Sequence, residues 1–272
     1  MSCQSKLLPR SFVGRDIDHA VIGNFMKKKH PVLSQCIGKT DTYSIYCTTA
    51  NFEKLLGTIA SDDTIIRMKA YFATYCTMSG AVAGIPVSYR DTTTLIFVPV
   101  NDSEQDVGKY YIIHPVDSSI VELTKDLADT MVTYFQQNRV PLLQEVAYSC
   151  RKDFIESRAV WYDIRNLNNP VDGFLGELQC QGAAGVAFHF GAYPVTEMYE
   201  AGTAKPVGLQ LTLIMLPVQT CTFDGEDYLY YFDIEDTPGF GQRHKNPNPG
   251  GGNTVNPCPP ATGCTPSVGG QP

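Results

Sequence analysis

The stretch Thr94-Leu95-Ile96-Phe97-Val98-Pro99-Val100 returns 118 residues later as Thr212-Leu213-Ile214-Met215-Leu216-Pro217-Val218. Extended outward without a gap, residues 65–114 lie over 183–232. Phe72 then meets Phe190, Tyr75 meets Tyr193, Ala83 and Gly84 meet Ala201 and Gly202, Asp106 meets Asp224, and Tyr110 meets Tyr228. Between residues 67 and 114 this makes 11 identities in 48 positions, where unrelated sequences of ordinary composition give roughly three. The chain reads as an internal duplication.

The correspondence continues upstream with small shifts, as insertions confined to loops would produce. Phe52, Leu55, Leu56 and Ile59 have the i, i+3, i+4, i+7 spacing of one helical face, and Val171, Phe174, Leu175 and Leu178 repeat it at an offset of 119. In the second copy Asn169 is expected to cap the helix, with Pro170 in its first turn. Ahead of each helix lies a short apolar strand, Ser44-Ile45-Tyr46-Cys47 and, at an offset of 115, Ala159-Val160-Trp161-Tyr162. Earlier still, Phe25 with Pro31-Val32-Leu33 matches Phe135 with Pro141-Leu142-Leu143 at an offset of 110. Strands rich in Tyr, Phe, Ile, Val and Thr follow at 65–75, 92–100 and 109–114, then at 184–193, 208–218 and 227–234. Each copy is thus helix, proline break, strand, helix and three strands. Short polar links between the last two strands predict a mostly antiparallel sheet with helices on one face, an α+β fold. The domains expected are an arm at 1–11, copies at 12–115 and 118–236 meeting across a pseudo-twofold axis, and a tail at 237–272. That tail holds eight Pro and eight Gly in 36 residues, a composition that buries too little apolar surface to fold and predicts disorder.

Composition narrows the function. The 272 residues are 43% hydrophobic and 18% charged with a net charge of -7, which suits a globular protein and gives no support to phosphate-rich binding or to nucleic acid. No window reaches the roughly 20 apolar residues of a membrane span, and the first residues lack the apolar run of a signal peptide. Nine cysteines without CxxC spacing fit buried thiols in a reducing compartment, so a cytoplasmic location is expected.

Side-chain alternation provides the candidate site. Met68, Ala70 and Phe72, like Val186, Phe188 and Phe190, form an apolar face. Lys69, Tyr71 and Tyr75, with His189 and Tyr193, lie on the opposite one. A cation, an imidazole and aromatic rims suit a planar or anionic ligand; an ordinary half-exposed sheet face explains the same residues.

Other motifs fail on spacing. Gly38-Lys39-Thr40 ends like a phosphate-binding loop, but the required glycine five residues earlier is Leu33; Asp236-Thr237-Pro238-Gly239 falls after a full second copy. Cys258, Cys264 and His244 lack zinc-ligand spacing, so no metal or cofactor is expected. Cys47 and Cys180 sit at no helix N-terminus and read as structural thiols. Lys27-Lys28-Lys29-His30 is expected to close the first helix, its cations facing the dipole.

The succession Lys28-Lys29-His30-Pro31, Asp41-Thr42-Tyr43-Ser44-Ile45-Tyr46, Ala70-Tyr71-Phe72-Ala73-Thr74-Tyr75 and Thr94-Leu95-Ile96-Phe97-Val98-Pro99 resembles a family of small uncharacterised proteins common in Bacteroidota. Lys69 stands at that family's Arg position and Ala73 at its Gly. The second copy has Ala187 and His189 but keeps Gly191, and Cys258-Pro259-Pro260 is similar to the family's terminal segment. The resemblance implies no assigned activity and carries no catalytic residue over.

Apolar positions persist between the copies, while Lys69 faces Ala187 and Tyr71 faces His189. A maintained duplicate active site would show the reverse. The expected function is a non-catalytic binding or assembly protein, with a protein partner or a symmetric dimer through exposed edges. The competing expectation is a small-ligand sensor or enzyme using Lys69, Tyr71, Tyr75, His189 and Tyr193.

Overall fold

Threonine and aspartate side chains fix where the helices begin. In the computed structural model, which describes residues 15–76, 84–148, 155–169, 173–180, 182–193, 209–223, 226–231 and 244–245, Thr48 Oγ1 accepts the amide of Asn51 at 3.2 Å. Thr124 and Asp163 do the same for Leu127 and Arg165, each satisfying an N–H that the first helical turn leaves without a partner. In chain order the elements are α1 (Arg15–Asn24), α2 (His30–Ile37), β1 (Ser44–Thr48), α3 (Thr49–Ile59), β2 (Ile65–Thr74), β3 (Thr93–Asn101), β4 (Tyr110–Ile113) and β5 (Ile120–Leu123). They continue with α4 (Lys125–Asn138), α5 (Val140–Tyr148), β6 (Ala159–Asp163), α6 (Ile164–Asn168), α7 (Phe174–Cys180), β7 (Gly185–Ala192), β8 (Leu211–Phe223), β9 (Glu226–Tyr231) and β10 (His244–Lys245). The fold is α+β with antiparallel sheets, as the strand signals predict.

The strands form two five-stranded sheets. Sheet I has the order β5-β4-β3-β2-β6 and sheet II the order β1-β7-β8-β9-β10. The early strand β1 pairs with β7, Ser44 opposite His189 and Thr48 opposite Gly185. The late strand β6 pairs with β2, Ala159 opposite Tyr71 and Asp163 opposite Arg67. Neither half of the chain completes a sheet without a strand from the other.

Inner faces of the two sheets meet through aromatic rings. Met68, Ala70 and Phe72 of β2 share one buried cluster with Val186, Phe188 and Phe190 of β7. The Phe97 and Phe188 centroids lie 5.1 Å apart, and those of Phe72 and Phe190 lie 6.0 Å apart. Two helices extend this row: Phe25 stands 5.8 Å from Phe190, and Phe135 of α4 stands 5.9 Å from Phe72. Burying each such ring contributes roughly 1.5–3 kcal/mol. From α3, Phe52, Leu55, Leu56 and Ile59 complete the cluster, with Phe174, Leu175 and Leu178 of α7 opposite; these are the helical faces that the spacing predicts.

Three expectations are corrected. The first helix does not close at Lys29: a π turn, Phe25–Lys29, carries it into α2, with Pro31 in the new first turn where its missing N–H costs nothing. The expected start of the next helix at Asn169 and Pro170 falls on residues 170–172, outside the described residues; Asn169 itself follows α6, whose own cap is Asp163. The strand β5, unforeseen, extends sheet I beside β4. Helix packing is not one-sided, since α4 places Phe135 against the inner face while Ala128 and Met131 join Ile96, Val98 and Ile112 on the outer one. The expected arm at 1–11 lies outside the described residues, as does the tail at 237–272 apart from β10.

Replacing Phe190 by Ala removes the ring that joins both sheets to the π turn. The expected loss is about 3–5 kcal/mol, read as a lowered urea midpoint with an unchanged slope.

Candidate functional site

Antiparallel register brings the most polar part of sheet I together. Lys69 on β2 lies directly opposite Trp161 on β6, and the turn after β3 supplies acids from the other side. Asn101 shapes that turn, its side-chain oxygen accepting the amides of Ser103 and Gln105 at 3.1 and 2.9 Å. Lys69 Nζ sits 4.4 Å from the Trp161 ring centroid and 4.8 Å from that of Tyr71, and it donates to Asp106 Oδ1 at 3.0 Å. Tyr71 Oη donates to Asp106 Oδ2 at 2.6 Å. Arg67 donates to Glu104 at 2.6 Å and holds its guanidinium 5.7 Å from Trp161. Partial burial works against the Lys69 ammonium, but hydrogen bonds with Tyr71 and Asp106 outweigh it and hold the group above its ordinary value.

The five residues singled out by alternation do not form one surface. Lys69 and Tyr71 share the cluster just described. Tyr75 is 2% exposed in the outer-face core with Ala128 and Met131 of α4; its phenol donates to Ile113 O at 3.5 Å, and burial raises its pKa. His189 and Tyr193 belong to sheet II. Tyr193 Oη accepts from Thr212 Oγ1 at 3.2 Å and packs with Val21, Ile22 and Ile214. His189 is 5% exposed, and desolvation lowers its pKa to about 4, so it is neutral at pH 7. Alternation assigns faces correctly, but it does not register that α1 and α4 cover the outer faces beyond β1 and β6.

Trp161, Asp106, Arg67 and Glu104 complete the cluster and are not evident from β2 alone. The signal lay in the offsets. Trp161 corresponds to Tyr46 at 115 and Lys69 to Ala187 at 118, and Tyr46 packs against Ala187 and Val218 in sheet II. The same address is polar and open in one sheet and apolar and closed in the other. Every charged group in the cluster is paired within it, and no nucleophile lies against a base there. Trp161 remains 43% exposed, with Ile155 just ahead of β6 at 69%.

A second set of charges lies inside the protein. Lys29, expected at an open helix end, is 0% exposed and forms an ion pair with Glu156. Glu156 Oε1 also accepts the amides of Ser157 at 3.0 Å and Leu211 at 2.6 Å. Asp41, 2% exposed, accepts the amide and hydroxyl of Thr93, both at 2.6 Å. Asp41 and Glu156 are 115 residues apart, and Thr93 and Leu211 are 118 apart; both acids therefore hold the first amide of the strand that follows the long one.

Gly38 ends α2 in the left-handed conformation, with φ 67°, so the phosphate-loop resemblance falls at a helix C-terminus rather than at the N-terminus an anion needs. Cys47 is a buried thiol pushed up to about 12 by desolvation. Cys180 is disulfide-bonded, so its reading as a thiol does not hold. No cluster of three or more His, Cys, Asp or Glu among the described residues could hold a metal, and no helix among them is long and apolar enough to cross a membrane. Compared with family models, with curated proteins and with solved structures, the chain matches none.

Two outcomes follow from the buried charges. Glu156→Gln leaves the Lys29 ammonium without its counter-charge and is expected to cost about 3–5 kcal/mol, while adding Lys29→Met to Glu156→Gln removes the uncompensated charge, keeps an oxygen for the Ser157 and Leu211 amides, and recovers most of that loss in urea melts. For His189, a folded pKa below the unfolded value means that the unfolded chain binds more protons as pH falls below about 6.5. Stability present at pH 7 is then lost on acidification, about 2 kcal/mol of it by pH 5, and His189→Gln should abolish that part of the pH dependence.

Proposed function

We propose that the protein is a non-catalytic binding module built by duplication of one α+β unit, and that it engages a protein partner along the β6 edge of sheet I around Trp161. The observation that carries this reading is the half-exposed Trp161 on a strand at the end of its sheet. Among the described residues no strand pairs with its outer edge, which offers backbone groups for strand addition, and an aromatic anchor flanked by charges is a common hot-spot arrangement. Mutual pairing of Lys69, Tyr71 and Asp106, and of Arg67 and Glu104, favours a recognition surface over a reaction centre, whose groups would be left free to act on a substrate.

Duplication is supported by the registers. Subtracting 115 from the β6 residue and adding 118 to the β2 residue turns the pair Ala159 with Tyr71 into Ser44 with His189, and the other four pairs follow. On this reading the two copies exchanged first strands, sheet II closed its outer face with Tyr46 and Ala187, and sheet I kept the open one. The partner is a different protein or a second copy of the chain.

Native mass spectrometry of the protein from its own host, with and without reductant, tests the reading. A stoichiometric protein complex is expected, homomeric or heteromeric, and Trp161→Ala should weaken it at least 30-fold, the equivalent of a 2 kcal/mol hot spot, with an unchanged melting temperature. A bound small molecule lost on Lys69→Ala would overturn it in favour of a ligand sensor or enzyme, and a monomer with neither would overturn it outright.

A further inference from the structure

The ladder between β2 and β6 fixes which backbone groups the outer edge of sheet I presents. Phe72 N–H donates to Arg158 O at 3.1 Å, which makes Phe72 and Arg158 a hydrogen-bonded pair. In an antiparallel ladder such pairs alternate with pairs whose backbone groups point away from each other. Along the observed register, Ala159 with Tyr71, Trp161 with Lys69 and Asp163 with Arg67 are of the second kind. The N–H groups of these three β6 residues, and the carbonyls of Ala159 and Trp161, therefore point to the outer edge. Among the described residues no strand takes them.

The equivalent edge of sheet II is closed. Phe190 N–H donates to Tyr43 O at 3.0 Å, so by the same alternation Thr48 turns its N–H outward. There it meets Ser118 Oγ at 3.4 Å, an oxygen that also accepts Asn51 Nδ2 at 3.2 Å. After β6 the chain turns the other way, since Ile164 and Leu167 carry α6 into the core rather than across the edge.

We infer that the occupant of the β6 edge is the same edge of a second copy, the two β6 strands pairing antiparallel about a twofold axis at Trp161; this rests on the reading of β6 as a docking edge. Trp161 then exchanges both backbone bonds with its own counterpart, and Asp163 N–H donates to the second copy's Ala159 carbonyl. Two five-stranded sheets become continuous. The strand suits a copy of itself. On the outer face the bulky Trp161 stands beside the small Ala159, so each indole lies over the other copy's Ala159. On the inner side Val160 meets Tyr162, both already packed against the core, a β-branched and aromatic pairing that sheets favour. Asp163, the one charged residue of β6, falls opposite Ala159 rather than opposite a like charge. Around the indole the cations Arg67, Lys69 and Arg165 are matched by Glu104, Asp106 and Asp163. A chain of net charge -7 thus has a locally balanced surface on which two copies meet without repulsion. Twofold pairing also closes, leaving no β6 edge for a third copy.

Trp161 is the single tryptophan of the chain, so its emission reports on this edge in the full protein without a label. Sedimentation equilibrium across micromolar concentrations, with emission spectra and amide hydrogen exchange on the same samples, tests the inference. A dimer is expected, whose formation moves the emission to shorter wavelength and slows exchange of the Trp161 and Asp163 amides about 10-fold or more relative to the dilute chain. Ala159→Arg, which keeps the indole but fills the space beneath its counterpart, should weaken the dimer about 30-fold. A dimer or larger assembly without those changes at 159–163 overturns the inference, and that measurement on the unaltered chain decides it even where the variant does not fold. A monomer that holds a different protein, released by Trp161→Ala in native mass spectrometry, also overturns it while leaving β6 a docking edge. A monomer with no protein bound overturns both.

Discussion

Four phenylalanine rings in a row, Phe25, Phe190, Phe72 and Phe135, are the contact on which the architecture rests. The middle pair joins the inner faces of the two sheets, and the outer pair ties sheet II to the π turn and sheet I to α4. Without this seam, β2 and β7 would each present an apolar face with nothing to cover it, and the fold would lose its centre rather than an edge. Close approach along the seam also explains Gly191. A Cβ there would collide with Val21 of α1, so the helix can lie this near β7 only if the position has no side chain.

Much of this was legible in the sequence because periodicity and self-similarity report what a chain does locally. The apolar faces of β2 and β7, the stripe on α3 and the strand boundaries follow from residue spacing. Pairing partners do not. That β1 would leave its own half to join β7 depends on contacts more than 130 residues apart, which no local pattern encodes. Lys29 shows the same limit at a single residue: at a helix end beside two further lysines it reads as solvated, and only the distant Glu156 makes its burial tolerable. One trace was present, however, since Lys29 and Arg139 stand 110 residues apart and Asp41 and Glu156 stand 115 apart. Each pair keeps its sign at offsets found from the apolar residues.

The candidate site divides along the same line. Lys69 and Tyr71 were visible from alternation on one strand, but the groups that give them meaning, Trp161 and Asp106, arrive from another strand and a turn. Tyr75 and His189 are built on the same face by the same rule, yet covering helices convert them into core. Charges on the open face satisfy one another near water, where each pair contributes little to stability. Those inside hold the starts of β3 and β8, where losing one partner is costly. Polar residues of similar composition thus serve recognition outside and alignment inside.

The pairing of β1 with the distant β7 also sets a timetable for synthesis. Sheet I can be completed once residue 163 has emerged, but β1, made before residue 50, has no partner until residues 185–192 follow. At roughly 5–20 residues per second, that strand waits on the order of ten seconds while its apolar residues and unpaired backbone stay available to other chains. Ordering by such distant contacts slows folding and exposes the nascent chain to mispairing, so β1 is where chaperone engagement during translation would matter most.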